Sequence, residues 1–132
     1  MRARVLFIAM MCGLGCALLS AGVGWAQQST SQLVNMTWSF RNSHPNIVFM
    51  QLYAQHTNRV WPGPTEYYKL DDSASHEARI KCWEGEKICY GAWTGDGSSQ
   101  WGVGRNNKGG CKGCCVVCQG GDQGKINLTP AK

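Results

Sequence analysis

Residues 34–41, VNMTWSFR, carry the clearest structural signal in this chain. Apolar Val34, Met36, Trp38 and Phe40 alternate with polar residues, and this period of two is typical of a β-strand with one buried face. Successive side chains of a strand point to opposite sides, so all four apolar residues fall on one face. The segment therefore predicts a strand that covers a hydrophobic core.

The residues that follow predict a second strand. Residues 42–46, NSHPN, interrupt the alternation, and residues 47–54 are then apolar at nearly every position. An apolar run without alternation is typical of a strand in the middle of a sheet, where both faces are covered. We expect the two strands to form a hairpin around the five-residue turn.

Farther along, the chain predicts short strands and turns. Two prolines exclude a helix from residues 60–64. Residues 67–70 predict a short edge strand, and residues 101–104 and 125–128 predict the last two strands. The one helical tendency lies at residues 73–79, a segment too short to form an independent helix.

A second hairpin is predicted around a turn at residues 84–86. Residues 78–82 alternate before this turn, and residues 88–93 return after it. In the register of a four-residue loop, Cys82 lies directly opposite Cys89, so a disulfide across the two strands is feasible.

The sharpest motif is C-x-x-C-C-x-x-C at residues 111–118. Four thiolates at this spacing could bind zinc or an iron–sulfur cluster, and a low-pKa thiol could carry out redox catalysis. Adjacent Cys114 and Cys115 point apart, however, and the preceding residues form a glycine-rich loop that does not activate a thiol. We therefore expect disulfides, with no metal and no cofactor, among these residues: Cys82, Cys89, Cys111, Cys114, Cys115 and Cys118.

The C-terminal half needs such cross-links. Twelve of the 48 residues after Glu84 are glycine, which favours loops and tight turns over a packed core. Six cysteines allow 15 pairings, and the sequence alone does not select one.

The N-terminus predicts export. Arg2 and Arg4 precede an apolar run at residues 5–23, and small residues at 24 and 26 flank Trp25. A charged start, an apolar middle and a small-residue end are the three parts of a secretory signal. We therefore expect residues 1–26 to be a cleaved signal peptide.

The rest of the chain predicts one small exported domain. Residues 27–32 form a polar leader, and residues 33–132 are expected to form a single disulfide-rich β domain that is secreted or periplasmic, with no membrane span once the signal is removed. The alternatives are a retained membrane anchor and a lipid attached at Cys16. The formal charge of +5 falls to +3 without Arg2 and Arg4. Arg105, Lys108 and Lys112 gather near the cysteine motif and could favour an anionic cell-envelope surface, but nucleic-acid binding would need a denser basic stripe.

No catalytic constellation stands out. His44, His56 and His76 lie far apart in sequence, without the spacing of metal ligands. Asp71 and Asp72 with His76 could act as acid and base, but this pattern is more typical of a turn or a helix N-cap. The sequence contains none of the common hydrolase, metalloprotease or phosphate-binding motifs, so we predict no catalytic residues.

Aromatic residues predict a binding surface. Of the five tryptophans that follow the signal, Trp38 and Trp93 are expected in the core. Trp61 lies in a Pro-Gly turn and Trp83 alternates out of phase with the apolar residues of its strand, so we expect these two to be exposed. Rigid exposed rings suit a glycan, a cell-envelope component or a protein partner. The predicted surface consists of Trp61, Tyr67, Tyr68 and Trp83.

Several short motifs resemble those of short exported bacterial proteins whose activity is uncharacterised. They are FRN at 40–42, WPG at 61–63, LDD at 70–72, GEKICYGAW at 85–93, WGVG at 101–104 and the cysteine motif. The resemblance covers residues 38–118 and implies a signal peptide and a C-terminal cysteine knot, but no catalytic residues. The opening strands also distantly resemble thaumatin-like β-sandwiches, a likeness of fold alone.

Taken together, these patterns predict an all-β protein, a small disulfide-stabilised sandwich or flattened barrel of six to eight short strands. The predicted function is that of a secreted or periplasmic, non-catalytic binding or interaction module. The alternative is a small exported enzyme or a thiol–disulfide oxidoreductase that uses the cysteines of residues 111–118.

Overall fold

The computed structural model describes residues 31–130 and consists of two β-sheets packed face to face. The predicted all-β fold with disulfides is confirmed, and its form is the sandwich. The predicted signal peptide and most of the polar leader lie outside the described residues. Within them there are nine strands: β1 (Leu33–Asn42), β2 (Val48–Ala54), β3 (Val60–Trp61), β4 (Tyr68–Leu70), β5 (Ser75–Trp83), β6 (Lys87–Thr94), β7 (Gln100–Gly102), β8 (Cys115–Val117) and β9 (Gly121–Leu128).

The smaller sheet has three strands in the order β5-β1-β9. β1 pairs antiparallel with β5, where Trp38 lies opposite Ala78, and parallel with β9, where Phe40 lies opposite Ile126. The first and last strands of the described chain are therefore neighbours.

The larger sheet has six strands in the order β3-β2-β6-β7, with β4 also on β2 and β8 also on β6. β2 and β6 pair antiparallel along seven residues and form its centre. Four of its strands are only two or three residues long, and these short pieces raise the number of strands in residues 31–130 above the predicted six to eight. Among these residues, no helix is long and apolar enough to cross a membrane.

The core lies between the two sheets and comes mainly from β1 and β2. Met36, Trp38 and Phe40 of β1 are at most 1 % exposed, and Met50 and Leu52 of β2 are fully buried. The rings of Trp38 and Phe40 stack with centroids 5.9 Å apart. Burying each such side chain contributes roughly 1.5–3 kcal/mol, so this layer supplies much of the driving force for folding.

The predicted hairpin of β1 and β2 is wrong, because the two strands belong to different sheets. Their apolar faces pack against each other across the interior instead of lying side by side. Asn42 holds the corner between them: its amide donates to the carbonyls of Asn46 and Leu70, each at 2.9 Å, and its carbonyl oxygen accepts from the His44 N–H at 2.8 Å.

The predicted hairpin around residues 84–86 is wrong for the same reason. β5 lies in the smaller sheet and β6 in the larger one, so the turn carries the chain from one sheet to the other. Cys82 and Cys89 are therefore not opposite each other. The predicted helical tendency at residues 73–79 is also wrong, since the alternation of buried and exposed residues in β5 begins before Ala78.

All six cysteines of the described residues form disulfides. Cys82–Cys118 joins the two sheets, and Cys89–Cys115 joins β6 to β8 within the larger sheet. Cys111–Cys114 closes a short loop before β8. Adjacent Cys114 and Cys115 thus have different partners, as their opposite directions predicted.

Candidate functional site

The candidate site lies on the outer face of the larger sheet, where two connections cover polar residues of β2. Phe49, Gln51 and Tyr53 of β2 point to this face, because their neighbours Val48, Met50 and Leu52 belong to the core. Two connections cross over it: residues 55–67, which contain β3, and residues 103–114, which end in the Cys111–Cys114 loop.

A buried chain of hydrogen bonds fastens both connections to the sheet. The amide of Gln51, 1 % exposed, donates to the carbonyls of Gly63 and Glu66 at 2.9 and 2.8 Å. The carbonyl oxygen of Gln51 accepts from the Tyr53 hydroxyl at 2.8 Å, and that hydroxyl in turn accepts from the Asn106 N–H at 3.0 Å. Every polar side-chain atom of Gln51 and Tyr53 therefore has a hydrogen-bond partner, and this network fixes the positions of both loops.

Glycine lets the second connection approach closely. A Cβ on Gly91 of β6 would lie 2.0 Å from the carbonyl oxygen of Gly104, so the main chain of Gly104 rests directly on the sheet. Any side chain at position 91 would push this loop away from the face.

Between the two connections lies a cavity of about 280 Å³, which we call the asparagine cleft. Its floor is formed by β2, and its two walls come from the two connections. The residues that matter for its chemistry are Gln51, Tyr53, Asn58, Pro64, Asn106 and Asn107.

The walls share an unusual backbone conformation. Asn58, Asn106 and Asn107 have φ values of 55°, 61° and 55°, and in the described part of the chain they are the only non-glycine residues with positive φ. All three line the asparagine cleft. Asparagine tolerates this left-handed conformation better than most residues, but strained backbone of this kind is concentrated at functional sites.

Two of these asparagines offer free amides to a ligand. The side chains of Asn58 and Asn106 are exposed and hydrogen-bond to none of the residues from 31 to 130. Asn107 instead exchanges two hydrogen bonds with Gln55, at 3.1 and 3.2 Å, and so holds one wall against the end of β2.

The asparagine cleft carries little charge. Burial raises the pKa of Tyr53 despite hydrogen bonds from Asn106 and Asn107, so its hydroxyl is neutral near pH 7. The one cationic residue of the lining, Arg59, donates from Nη2 to a Glu86 oxygen at 2.6 Å. A charged ligand would therefore find no unpaired opposite charge there.

Glu86 is the buried carboxylate at this end of the molecule, with a side chain only 4 % exposed. Burial raises its pKa, but hydrogen bonds from Thr57, Arg59 and the Trp83 N–H, together with the charge of Arg59, outweigh burial and hold the pKa below its usual value. The carboxylate therefore anchors the first connection as an ion and is not a proton donor at neutral pH.

A cluster of aromatic rings lies at the other end of the same outer face. The ring of Tyr67 meets Trp93 edge-on at 5.3 Å and Phe49 at 6.3 Å between centroids. The guanidinium of Arg105 lies 5.7 Å from the centre of the Trp93 ring. We call these four residues the aromatic cluster. Trp93 itself is buried, but on this outer face and not in the core between the sheets, where the sequence predicted it.

The structure does not bring the four aromatic residues of the predicted binding surface together. Tyr67 belongs to the aromatic cluster and is 40 % exposed, whereas the neighbouring Tyr68 is half-buried against the core. Trp61 also packs on the core, with the guanidinium of Arg59 over its ring. Trp83, 40 % exposed, lies on the smaller sheet. Binding by these residues stays a prediction.

The other sequence candidates have structural partners. The cysteines of residues 111–118 bond to one another or to Cys82 and Cys89, so they do not form a four-thiolate cluster. Asp72 accepts from the Ala74 N–H at 2.9 Å, which confirms the predicted turn, and lies 2.7 Å from the His76 ring. The hydrogen bond from His76 and then that from Ala74 lower the pKa of this exposed carboxylate.

Sequence reasoning missed the asparagine cleft. Asn58 precedes β3 without a recognised motif, and Asn106 and Asn107 fall in a segment that reads only as a glycine-rich loop. The available signal was the Asn-Asn pair itself, because asparagine is favoured where φ is positive. No protein-family model, curated protein sequence or solved structure matches this chain.

Proposed function

We propose that the protein is a secreted or periplasmic, non-catalytic binding module, and that the asparagine cleft binds a neutral glycan. The observation that carries this proposal is the convergence of three left-handed asparagines, two with free amides, on one cavity. The predicted signal peptide and the disulfides support its export.

The chemistry of the cleft favours hydroxyl groups. A sugar hydroxyl both donates and accepts hydrogen bonds, and an asparagine amide offers both functions at one position. Asn58 and Asn106 stand on opposite walls and provide such groups from two sides. The neutral hydroxyl of Tyr53 and the paired Arg59 disfavour an anionic ligand.

The residues that line the cleft support binding more than catalysis. Among them there is no carboxylate, histidine or cysteine, which are the usual nucleophiles and acid–base groups of hydrolases. The buried network under the cleft and the nearby Cys89–Cys115 bond hold the walls in place before a ligand arrives, and this lowers the entropy cost of binding.

The test replaces Asn58 and Asn106 by glycine together. Glycine adopts positive φ without strain, so the variant removes both amides and keeps the backbone. A glycan array identifies the best neutral ligand of the wild-type protein, and calorimetry then measures its affinity. We expect the double variant to bind at least tenfold more weakly, the loss of about two hydrogen bonds, with a melting temperature close to that of the wild type.

The substitution Asn106→Ala is the matched control, because it removes the amide and adds backbone strain. It should weaken binding and also lower stability by about 1 kcal/mol. Unchanged affinity in the glycine variant, or an array on which no neutral glycan binds, would contradict the proposal.

A further inference from the structure

We infer that the glycan site extends from the asparagine cleft to the aromatic cluster, so that the ligand is a linear neutral oligosaccharide of two or more units. This inference rests on the proposed function and deepens it. Its basis is that the floor and both walls of the cleft continue to the same cluster of rings.

The floor is one strand. Tyr53, under the cleft, and Phe49, in the aromatic cluster, both point outward from β2 and are four residues apart. Four residues of a β-strand span about 13 Å, a distance that a short oligosaccharide can bridge and a single sugar cannot.

Each wall also connects the two places. On one side, Pro64 lines the cleft and Tyr67 belongs to the cluster, three residues later and therefore at most about 11 Å away. On the other side, Asn106 lines the cleft and its neighbour Arg105 lies over Trp93. The two loops thus border both places, and the chain runs from the cleft to the cluster in the first loop and from the cluster to the cleft in the second.

A turn separates the two compartments. Gln51 lies midway between Phe49 and Tyr53 and is covered by the turn from Gly63 to Glu66, whose carbonyls accept its hydrogen bonds. A ligand that occupies both compartments therefore crosses over this turn. The two ends of the ligand then lie closer to the sheet than its middle does, one end in the asparagine cleft and the other against the aromatic cluster.

The aromatic cluster has the chemistry of a second sugar subsite. Tyr67 is 40 % exposed, and its contacts with Phe49 and Trp93 hold its ring in a fixed orientation. A rigid ring offers an apolar surface to the C–H groups of a sugar at low entropy cost. The exposed Arg105 adds hydrogen-bond donors for hydroxyls.

The charges around this path favour a neutral chain. Exposed Glu66 precedes Tyr67 in the first loop, and exposed Arg105, the cationic member of the cluster, belongs to the second loop. The two formal charges cancel, so the path has no net attraction for a polyanion such as a nucleic acid.

The experiment measures binding as a function of ligand length. Neutral oligosaccharides of one to six units, built from glucose, mannose, galactose or N-acetylglucosamine, are titrated into the wild-type protein and into Tyr67→Ala. We expect affinity to rise at least tenfold between one unit and four. Tyr67→Ala should bind four units about tenfold more weakly than the wild type and should bind one unit with unchanged affinity.

Two control variants separate the role of Tyr67 from other effects. Tyr67→Phe keeps the ring and should bind four units as the wild type does. Leu33→Ala removes an exposed apolar side chain from the smaller sheet and should not change binding of any length.

The outcomes distinguish this inference from the proposed function. If one unit binds as tightly as four, or if Tyr67→Ala weakens all lengths equally, the extended site is wrong and the cleft alone is the site. If no length binds, or if Asn58→Gly with Asn106→Gly does not weaken the binding of one unit, the proposed function fails as well.

Discussion

Glu86 shows how one residue anchors a loop through its charge. Its carboxylate accepts from Thr57, from Arg59 at 2.6 Å and from the Trp83 N–H at 3.1 Å, and it is almost fully buried. Because Arg59 lines the asparagine cleft, this ion pair also contributes to the position of one wall.

We predict that Glu86→Gln lowers the free energy of unfolding by about 2 kcal/mol at pH 7, since it leaves Arg59 without its counter-charge. The pKa of Glu86 lies below its usual 4.5 in the folded protein, so its contribution is complete above that pH and is lost as the pH falls through the lowered value. The difference between variant and wild type should therefore narrow at pH 3.

Urea unfolding at pH 7 and pH 3 measures this difference. Glu84→Gln is the matched control, because Glu84 is exposed and only two residues away, and it should change stability little at either pH. A Glu86→Gln effect of the same size at both pH values would contradict the role of the charge.

Single residues were predictable where burial follows from strand alternation. Trp38 was expected in the core and is 1 % exposed, whereas Trp93, also expected there, is buried on the outer face of the larger sheet and not between the sheets. Gln51 was not recognised, because a polar residue within an apolar run has no distinct pattern and its role depends on carbonyls 12 and 15 residues away. The left-handed asparagines were missed because turn conformation depends on the loops that the disulfides and the sheet constrain.

At the scale of elements, the strands were predictable and their pairing was not. The alternation at residues 34–41 identifies β1 and its buried face, and the apolar run after residue 46 identifies β2. The same two patterns fit strands that lie side by side and strands that face each other across a core. The structure has the second arrangement, which depends on non-local contacts that no local pattern reports.

The disulfides differ in what they connect, and we predict a corresponding difference in stability. Cys82–Cys118 spans 36 residues and joins the sheets, whereas Cys111–Cys114 spans only three. From loop-closure entropy, we expect the longer bond to stabilise the folded protein by about 4 kcal/mol and the shorter one by about 2 kcal/mol.

The measurement compares the double variants Cys82→Ala with Cys118→Ala and Cys111→Ala with Cys114→Ala by urea unfolding under oxidising conditions. The first should lose the larger part of the free energy of unfolding, and more than the entropy alone, because Cys82 and Cys118 are also part of the core. Equal losses would show that the bond between the sheets has no special role.

At the scale of the whole molecule, we predict that the full chain is processed and oxidised on export. The protein recovered from outside the cytoplasm should begin at Gln27, by intact mass, and its six remaining cysteines should not react with a thiol reagent before reduction. An uncleaved N-terminus or several reactive thiols in that material would contradict the prediction. Replacing Ala26 by a bulky residue provides the control, because it should block cleavage without affecting the folded part.

The side-by-side arrangement of β1 and β9 has a consequence for how the protein reaches this state. Synthesis proceeds from the N-terminus, and β1 completes its pairing only when the residues up to Leu128 are available. Until then, one edge of β1 has no hydrogen-bonded neighbour, and the apolar residues of β1 are only partly buried. The nascent chain therefore cannot complete its smaller sheet until the residues up to Leu128 have been synthesised.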